Sequence, residues 1–293
     1  MAPRCRSGND ERTIRSFPAP HPIRYPSQAK VAQARLGGGR TGMYPTRKSR
    51  DGSFRFIPAV FQYSGGVAAE PGYRIERAKL ASPLPLEAGF ASIEAHLRRL
   101  GRAPSALCAC ELRSPEPFSE AGLAAFNRTY AAQLDTWGLL DGTTNPIART
   151  NVCPEIGKPA GVALHAFSYT VPDGAWLGGF VVAGSGEAPE GGTSYEAGTV
   201  RPGDVSPDGL REKAAWVMGE MGRRLAGLGR SWADASAVDV YTVHDIRPLM
   251  ADVLADITGR DLGLTWHFAR PPVAGLDYEM DLRGLPREIV IEG

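Results

Sequence analysis

Two apolar stripes constrain this chain more than any other feature. Phe90, Ile93, Leu97 and Leu100 form one, and Met218, Met221, Leu225 and Leu228 form the other. Both step by +3, +4, +3, the spacing of one helix face, and both end in Leu-Gly-Arg, at Leu100-Gly101-Arg102 and Leu228-Gly229-Arg230. The glycine suits a left-handed cap at a helix C-terminus. The surrounding sequence corresponds as well. Short strand-like runs closing on a glycine turn precede the stripes at 61–65 and 180–184. Strand candidates follow at 107–113 and 238–243, then second helical stretches at 119–137 and 247–258. Each half closes on an alternating strand, with Val162, Leu164, Ala166 and Ser168 on one face in the first and Leu276, Tyr278, Met280 and Leu282 in the second.

This order predicts an α+β fold with two tandem domains at 51–172 and 173–293. Each is a mixed sheet with two helices packed on one face, and Asp173-Gly174-Ala175 marks the junction. A chain of 293 residues supplies enough apolar sequence for two such cores. The sheet faces left open would be covered by pairing of the halves or by oligomerisation.

Charge separates off the first 50 residues, which carry a net +9 against −8 for the remainder. That segment holds Pro18, Pro20, Pro22, Pro26 and Gly37-Gly38-Gly39 without helical or strand periodicity, and reads as a disordered basic extension. It competes as a nucleic-acid arm, a targeting leader or a plain extension with Met43 as the real start. The plain extension is preferred because aromatic interleaving and an amphipathic face are missing, so nucleic acid is not an expected partner. No apolar run reaches the roughly 18–20 residues of a membrane helix, and no secretory leader is apparent. Four cysteines at 5, 108, 110 and 153 make no disulfide framework, so the cytoplasm is the expected compartment. Cys108 and Cys110 share a strand face with no histidine at ligand spacing, and are read as buried thiols rather than a metal site. Trp216, Trp232 and Trp266 read as core or interface anchors.

Three segments carry a family resemblance. Tyr63-Ser64-Gly65, Phe126-Asn127-Arg128-Thr129-Tyr130 and Pro146-Ile147-Ala148-Arg149-Thr150 resemble, in order and spacing, the turn, helix segment and arginine-bearing segment of the Rid (reactive intermediate deaminase) family. The similarity runs along 56–170. The second half resembles the family less closely, through Asp234 and Ala269-Arg270-Pro271-Pro272. Its position matching Arg149 falls near Gly263, so it is expected to be a degenerate, structural domain. The run from Ala148 to Glu155 looks most like two-domain Rid relatives that deaminate 2-aminomuconate-type compounds. The resemblance implies chorismate-mutase-like domains, a trimer with pockets between subunits, and hydrolysis of enamines or imines to a keto or hydroxy product and ammonia, with no cofactor.

In that chemistry Arg149 would clamp the substrate carboxylate, since a guanidinium offers a planar fork for two parallel hydrogen bonds. His165 stands where many Rid proteins place a water-holding Glu, and is expected either to shuttle protons or to be a histidine at the edge of the core. Ser64 and Gly65 are expected at the pocket floor, with Thr150 beside Arg149, and Asn127 either hydrogen-bonding across a subunit contact or bracing the loop that holds Arg149. Cys153 is either a nucleophile activated by the nearby arginine or an apolar filler. Glu155, with Lys158 and Arg113, is a candidate for reading a second carboxylate. Two other functions stay open: a non-catalytic carboxylate-binding or regulatory protein, and a chorismatase-like hydrolase, which also pairs two such domains.

Overall fold

The computed structural model describes residues 44–175, 177–191, 194–258 and 263–293. The predicted basic extension therefore lies outside the described residues except for 44–50. Those join the fold: Arg47–Lys48 forms strand β1, and the Tyr44 hydroxyl donates to Glu220 at 3.1 Å.

Among the described residues thirteen strands make two sheets. In chain order they are β1, β2 (Phe54–Phe56), β3 (Gly66–Ala69), β4 (Tyr73–Pro85), β5 (Leu107–Arg113), β6 (Ala148–Pro154), β7 (Ala163–Pro172), β8 (Phe180–Gly186), β9 (Ala237–Tyr241), β10 (Thr265–His267), β11 (Ala269–Arg270), β12 (Glu279–Gly284) and β13 (Arg287–Ile291). The α-helices are α1 (Leu86–Arg99), α2 (Glu120–Thr136), α3 (Tyr195–Gly198), α4 (Pro207–Gly227) and α5 (Ala255–Thr258).

The helix punctuation follows local chemistry. Ser119 and Ser206 cap α2 and α4 by accepting the Gly122 and Gly209 amides at 3.2 and 3.1 Å, and Pro207 opens α4 where its missing N–H costs nothing. Gly101 and Gly229 end α1 and α4 at φ +66° and +67°, the left-handed caps expected from Leu-Gly-Arg. Phe90, Ile93 and Leu97 of α1 pack on the sheet containing β4 and β7, and Met221, Leu225 and Leu228 pack on the sheet containing β8 and β12.

The sheet orders correct the tandem-domain expectation. One sheet runs β1-β2-β3-β8-β12-β9-β10 and the other β11-β6-β5-β7-β4-β13. They share one four-strand run, β6-β5-β7-β4 in the centre of the second sheet against β10-β9-β12-β8 at one end of the first. Each sheet, however, is completed from the other half. Strands β1 to β3 enter the first sheet through the β3–β8 pairing, while β11 pairs with β6 and β13 runs parallel to β4. A second difference lies at 247–258. Instead of a helix matching α2, it forms a 3-10 turn at Arg247–Leu249 and the four-residue α5. Pro248 stands in the first turn of that stretch, where a proline is tolerated, and Asp245 accepts the Arg247 amide at 3.0 Å. The run at 61–65 is a loop rather than a strand, because it makes only isolated bridges, Val60 to Tyr63 and Ser64 to Ala148. The molecule is therefore one two-sheet fold of interlocked halves, not two copies of a Rid-like, chorismate-mutase-like domain.

The open sheet faces meet each other across a charged layer. Glu288 of β13 accepts from Arg77 of β4 at 2.9 Å and from Arg283 of β12 at 2.8 Å, tying one sheet to the other. Arg77 also grips Glu111 of β5 at 2.5 and 2.7 Å, and Arg283 reaches Asp239 of β9 at 2.5 Å. Closest approach comes where β8 crosses β6. There the Gly184 amide donates to Thr150 Oγ1 at 3.1 Å, and a side chain at 184 would press on Thr150 and on the Glu279 carboxyl. No helix among the described residues is long and apolar enough to cross a membrane.

Candidate active site

Strand alternation sets the site. On β6, Arg149 and Asn151 turn to the α2 side, while Thr150 turns to the layer between the sheets. Helix α2 meets Arg149 with three consecutive-turn residues. Asn127 Oδ1 accepts from Arg149 Nη2 at 2.8 Å, and the Phe126 and Tyr130 rings lie 5.5 and 4.9 Å from the guanidinium carbon. Tyr63, from the loop before β3, adds a third ring at 5.0 Å. Such faces attract a cation without neutralising it.

That distinction matters because Arg149 is only 6% exposed. The two other fully buried arginines, Arg77 and Arg224, both hold carboxylates: Arg77 pairs with Glu111 and Glu288, and Arg224 with Glu190 and Glu220. Arg149 makes no ion pair among the described residues, and its buried Nη1 has no hydrogen-bond partner. Burying a cation this way is unfavourable unless a counter-ion arrives.

Arg149 opens into a cavity of about 40 Å³. Gln62, Tyr63, Asn151, Glu190, Tyr195 and Glu279 are among its walls. Two further buried atoms there lack partners, Gln62 Oε1 and Asn151 Nδ2; the Asn151 Oδ1 accepts from Ser114 at 3.0 Å. Glu279, 4% exposed, has its carboxyl pushed well above the usual range by burial and by Asp281 and Glu187, against the pull of Arg149. Burial thus favours the protonated form of this carboxyl. Burial likewise raises the Tyr195 phenol to about 12. Glu190 is spoken for, accepting from the Tyr63 hydroxyl at 3.0 Å and from Arg224 at 2.7 Å. The cavity thus combines one cation without an ion-pair partner, one carboxyl whose burial favours its protonated form and two amides with free capacity, the equipment for gripping an anion and moving a proton beside it.

Of the residues expected from sequence, Arg149 and Asn127 come together here. Arg149 lines the cavity with Asn127 behind it, and the others do not line it. Ser64 is fully buried, its hydroxyl donating to the Pro146 carbonyl at 3.0 Å, and Gly65 is held by backbone bonds to Ile57 and Ala183; their neighbours Gln62 and Tyr63 face inward instead. Thr150 faces a separate space of about 10 Å³ between the sheets, beside Asp281, whose carboxyl burial raises to about 7. His165 sits among Arg113, Glu111 and Arg77. Burial and Arg113 push its imidazole down to about 3, so it is neutral and a poor base at neutral pH. Burial raises the Cys153 thiol to about 12, the opposite of an activated nucleophile. Glu155 pairs with Arg270 and Lys158 at the surface. Among the described residues no cluster of His, Cys, Asp or Glu could hold a metal ion.

Glu279 and Asn151 were the residues sequence reading missed, and both carried a signal. If Tyr278, Met280 and Leu282 face the core, then Glu279 and Asp281 must share the other face. If Arg149 faces a pocket, so does Asn151.

Comparison with known proteins fixes the family. The model described as 2-aminomuconate deaminase CnbZ matches residues 46–289. A 2-amino-5-chloromuconate deaminase of Comamonas testosteroni is 48% identical over 242 residues, covering 82% of this chain and 96% of that protein. A solved structure of a chorismatase aligns over 82% of this chain and 78% of its own, at 14% identity and a TM-score of 0.45. The CnbZ family is distinct from Rid, so the Rid assignment drawn from the three short motifs is replaced. Those motifs together span few residues, whereas the family match runs along nearly all of the described chain. Both the family and the curated relative are named as deaminases, enzymes that cut a carbon–nitrogen bond. The chain belongs to the 2-aminomuconate deaminase CnbZ family.

Proposed function

We propose that this chain is a hydrolytic deaminase acting on an enamine carboxylate of the 2-aminomuconate type, converting it to the 2-oxo (or 2-hydroxy) acid and ammonia. One observation carries the reading: Arg149 is buried without a carboxylate partner among the described residues, on the same cavity as Glu279, whose carboxyl burial raises. The carboxylate beside the amino-bearing carbon takes the missing counter-ion's place, accepting from Arg149 Nη1. Asn127 and the three rings fix the guanidinium before substrate arrives, which lowers the entropic part of the barrier. Glu279 then gives its proton to the enamine carbon, producing an iminium at the carbon that bears nitrogen. Water adds to that carbon, and the Glu279 carboxylate, now charged, removes the water's extra proton. Delivered to nitrogen, this proton makes ammonia the leaving group, and the C–N bond breaks as the C=O bond forms. The sum is enamine plus water giving oxo acid plus ammonia, and Glu279 recovers its proton from the hydroxyl of the collapsing intermediate. The cavity holds about three water molecules by volume, so a six-carbon diacid enters as side chains part.

The test is ammonia release from 2-aminomuconate by the purified full chain, followed alongside loss of the conjugated dienamine absorbance. Stoichiometric ammonia is expected. The reading is rejected if the wild-type protein releases none, or if Arg149→Ala releases it at the wild-type rate.

A further inference from the structure

The cavity atoms left without partners differ in hydrogen-bonding sense. Arg149 Nη1 and Asn151 Nδ2 are donors, two positions apart on β6 and facing the same way. Gln62 Oε1 is an acceptor, brought in by the loop before β3. Gln62 is 5% exposed. Leaving a buried amide oxygen unbonded is unfavourable, and a methionine would fill the same space without that cost. Two donors and one acceptor complement a carboxylate with an adjacent N–H group. They do not complement a 2-oxo acid, whose carbonyl would set one acceptor against another.

We infer that Gln62 is the residue that reads the substrate's amino group, accepting its N–H while the two donors of β6 hold the neighbouring carboxylate. This rests on the deaminase reading and deepens it. The same contact that favours the enamine disfavours the oxo product, so it serves selection and product release together. A site built to accept an N–H rejects analogues that lack one more strongly than an apolar pocket distinguishes shapes. Gln62 is a specificity residue in this scheme and moves no proton.

The experiment compares wild type with Gln62→Met in two measurements: kcat/KM for 2-aminomuconate, and the inhibition constant of muconate, the diacid without nitrogen. Loss of one hydrogen bond to a buried acceptor predicts a fall in kcat/KM of about tenfold or more, while the muconate constant stays within about twofold. Because muconate still needs Arg149, its unchanged binding also reports an intact site. Should the methionine variant not fold, Gln62→Asn, which withdraws the amide by one methylene, is read in the same way. Parallel loss of both quantities, or no change in either, overturns the inference while the deaminase reading stands. A wild-type protein that releases no ammonia at all overturns both.

Discussion

Arg149 and Arg224 are both buried, yet replacing each with methionine should have opposite consequences. Arg224, 1% exposed, donates to Glu220 at 2.8 Å, to Glu190 at 2.7 Å and to the Ala183 carbonyl at 3.1 Å. Removing it leaves Glu190 without its ion pair and Glu220 with Arg223 alone, a loss of about 3–5 kcal/mol. For a fold of this size each kcal/mol moves the melting temperature by about 2–4 °C, so Arg224→Met should melt about 6–20 °C early. Arg149→Met loses one charge-assisted hydrogen bond, about 1.5–3 kcal/mol, and contacts with three rings at about 0.5–2 kcal/mol each. It also relieves the burial of a cation without a counter-ion, several kcal/mol in the opposite direction. Those contributions are of similar size, and the melting temperature should move by no more than about 4 °C.

Activity should move the other way. The charge-assisted bond from Arg149 Nη1 to a substrate carboxylate is about 1.5–3 kcal/mol, and its loss should lower kcat/KM by about 10–10²-fold in Arg149→Met. Differential scanning calorimetry and an ammonia assay on the same preparations decide the matter. If Arg149→Met melts as early as Arg224→Met, Arg149 is a structural ion after all. If it keeps turnover within tenfold of wild type, no substrate anion uses it.

Three further outcomes follow from the same geometry. Glu279 binds in the native state a proton that the unfolded chain has released above about pH 4.5, so this group's contribution to stability falls as pH rises toward its raised native value. Glu279→Gln should flatten that loss of stability with rising pH in urea titrations and abolish ammonia release; a variant that turns over normally would remove Glu279 from the chemistry. His165→Asn should leave kcat/KM within about twofold at pH 7, because the imidazole faces Arg113, Glu111 and Arg77 rather than the cavity, and a large loss would restore it as a proton carrier. Gly184→Ala should destabilise the fold by about 1–3 kcal/mol, since the new methyl presses on Thr150 where β8 crosses β6, and should lower kcat by pushing the Glu279 carboxyl aside; an unchanged melt would show that the two sheets can separate there freely.

Local elements were readable because their causes are local. The stripe of α1, the serine cap of α2 and the glycine ends of α1 and α4 are decided within a few residues. Strand β5 is found at the residues its run of Leu107, Cys108, Ala109 and Cys110 suggests. What failed was long-range. Nothing in 66–69 says that β3 lies beside β8 rather than beside β4, and nothing in 287–291 says that β13 crosses to β4. A strand pattern specifies which face is apolar but not which neighbour hydrogen-bonds to its edge, so exchange between halves leaves no mark in periodicity. The short motifs misled for a related reason: a turn, a helix segment and an arginine recur in any protein that brings a cation to the mouth of a strand.

The site itself divides along the same line. Given Arg149 as an inward residue, alternation on β6 selects Asn151 and rejects Thr150, and the apolar positions Tyr278, Met280 and Leu282 force Glu279 onto the opposite face of β12. Those two inferences need no structure. That the two strands deliver their residues to one space does, because β6 and β12 belong to different sheets, and the cavity exists only where β8 passes β6 with a glycine at 184. The interlocking that defeats a tandem-domain description is therefore what assembles the chemistry. The cation comes from the first half and the acid from the second, so a fragment ending at residue 172 would keep Arg149 and lack Glu279.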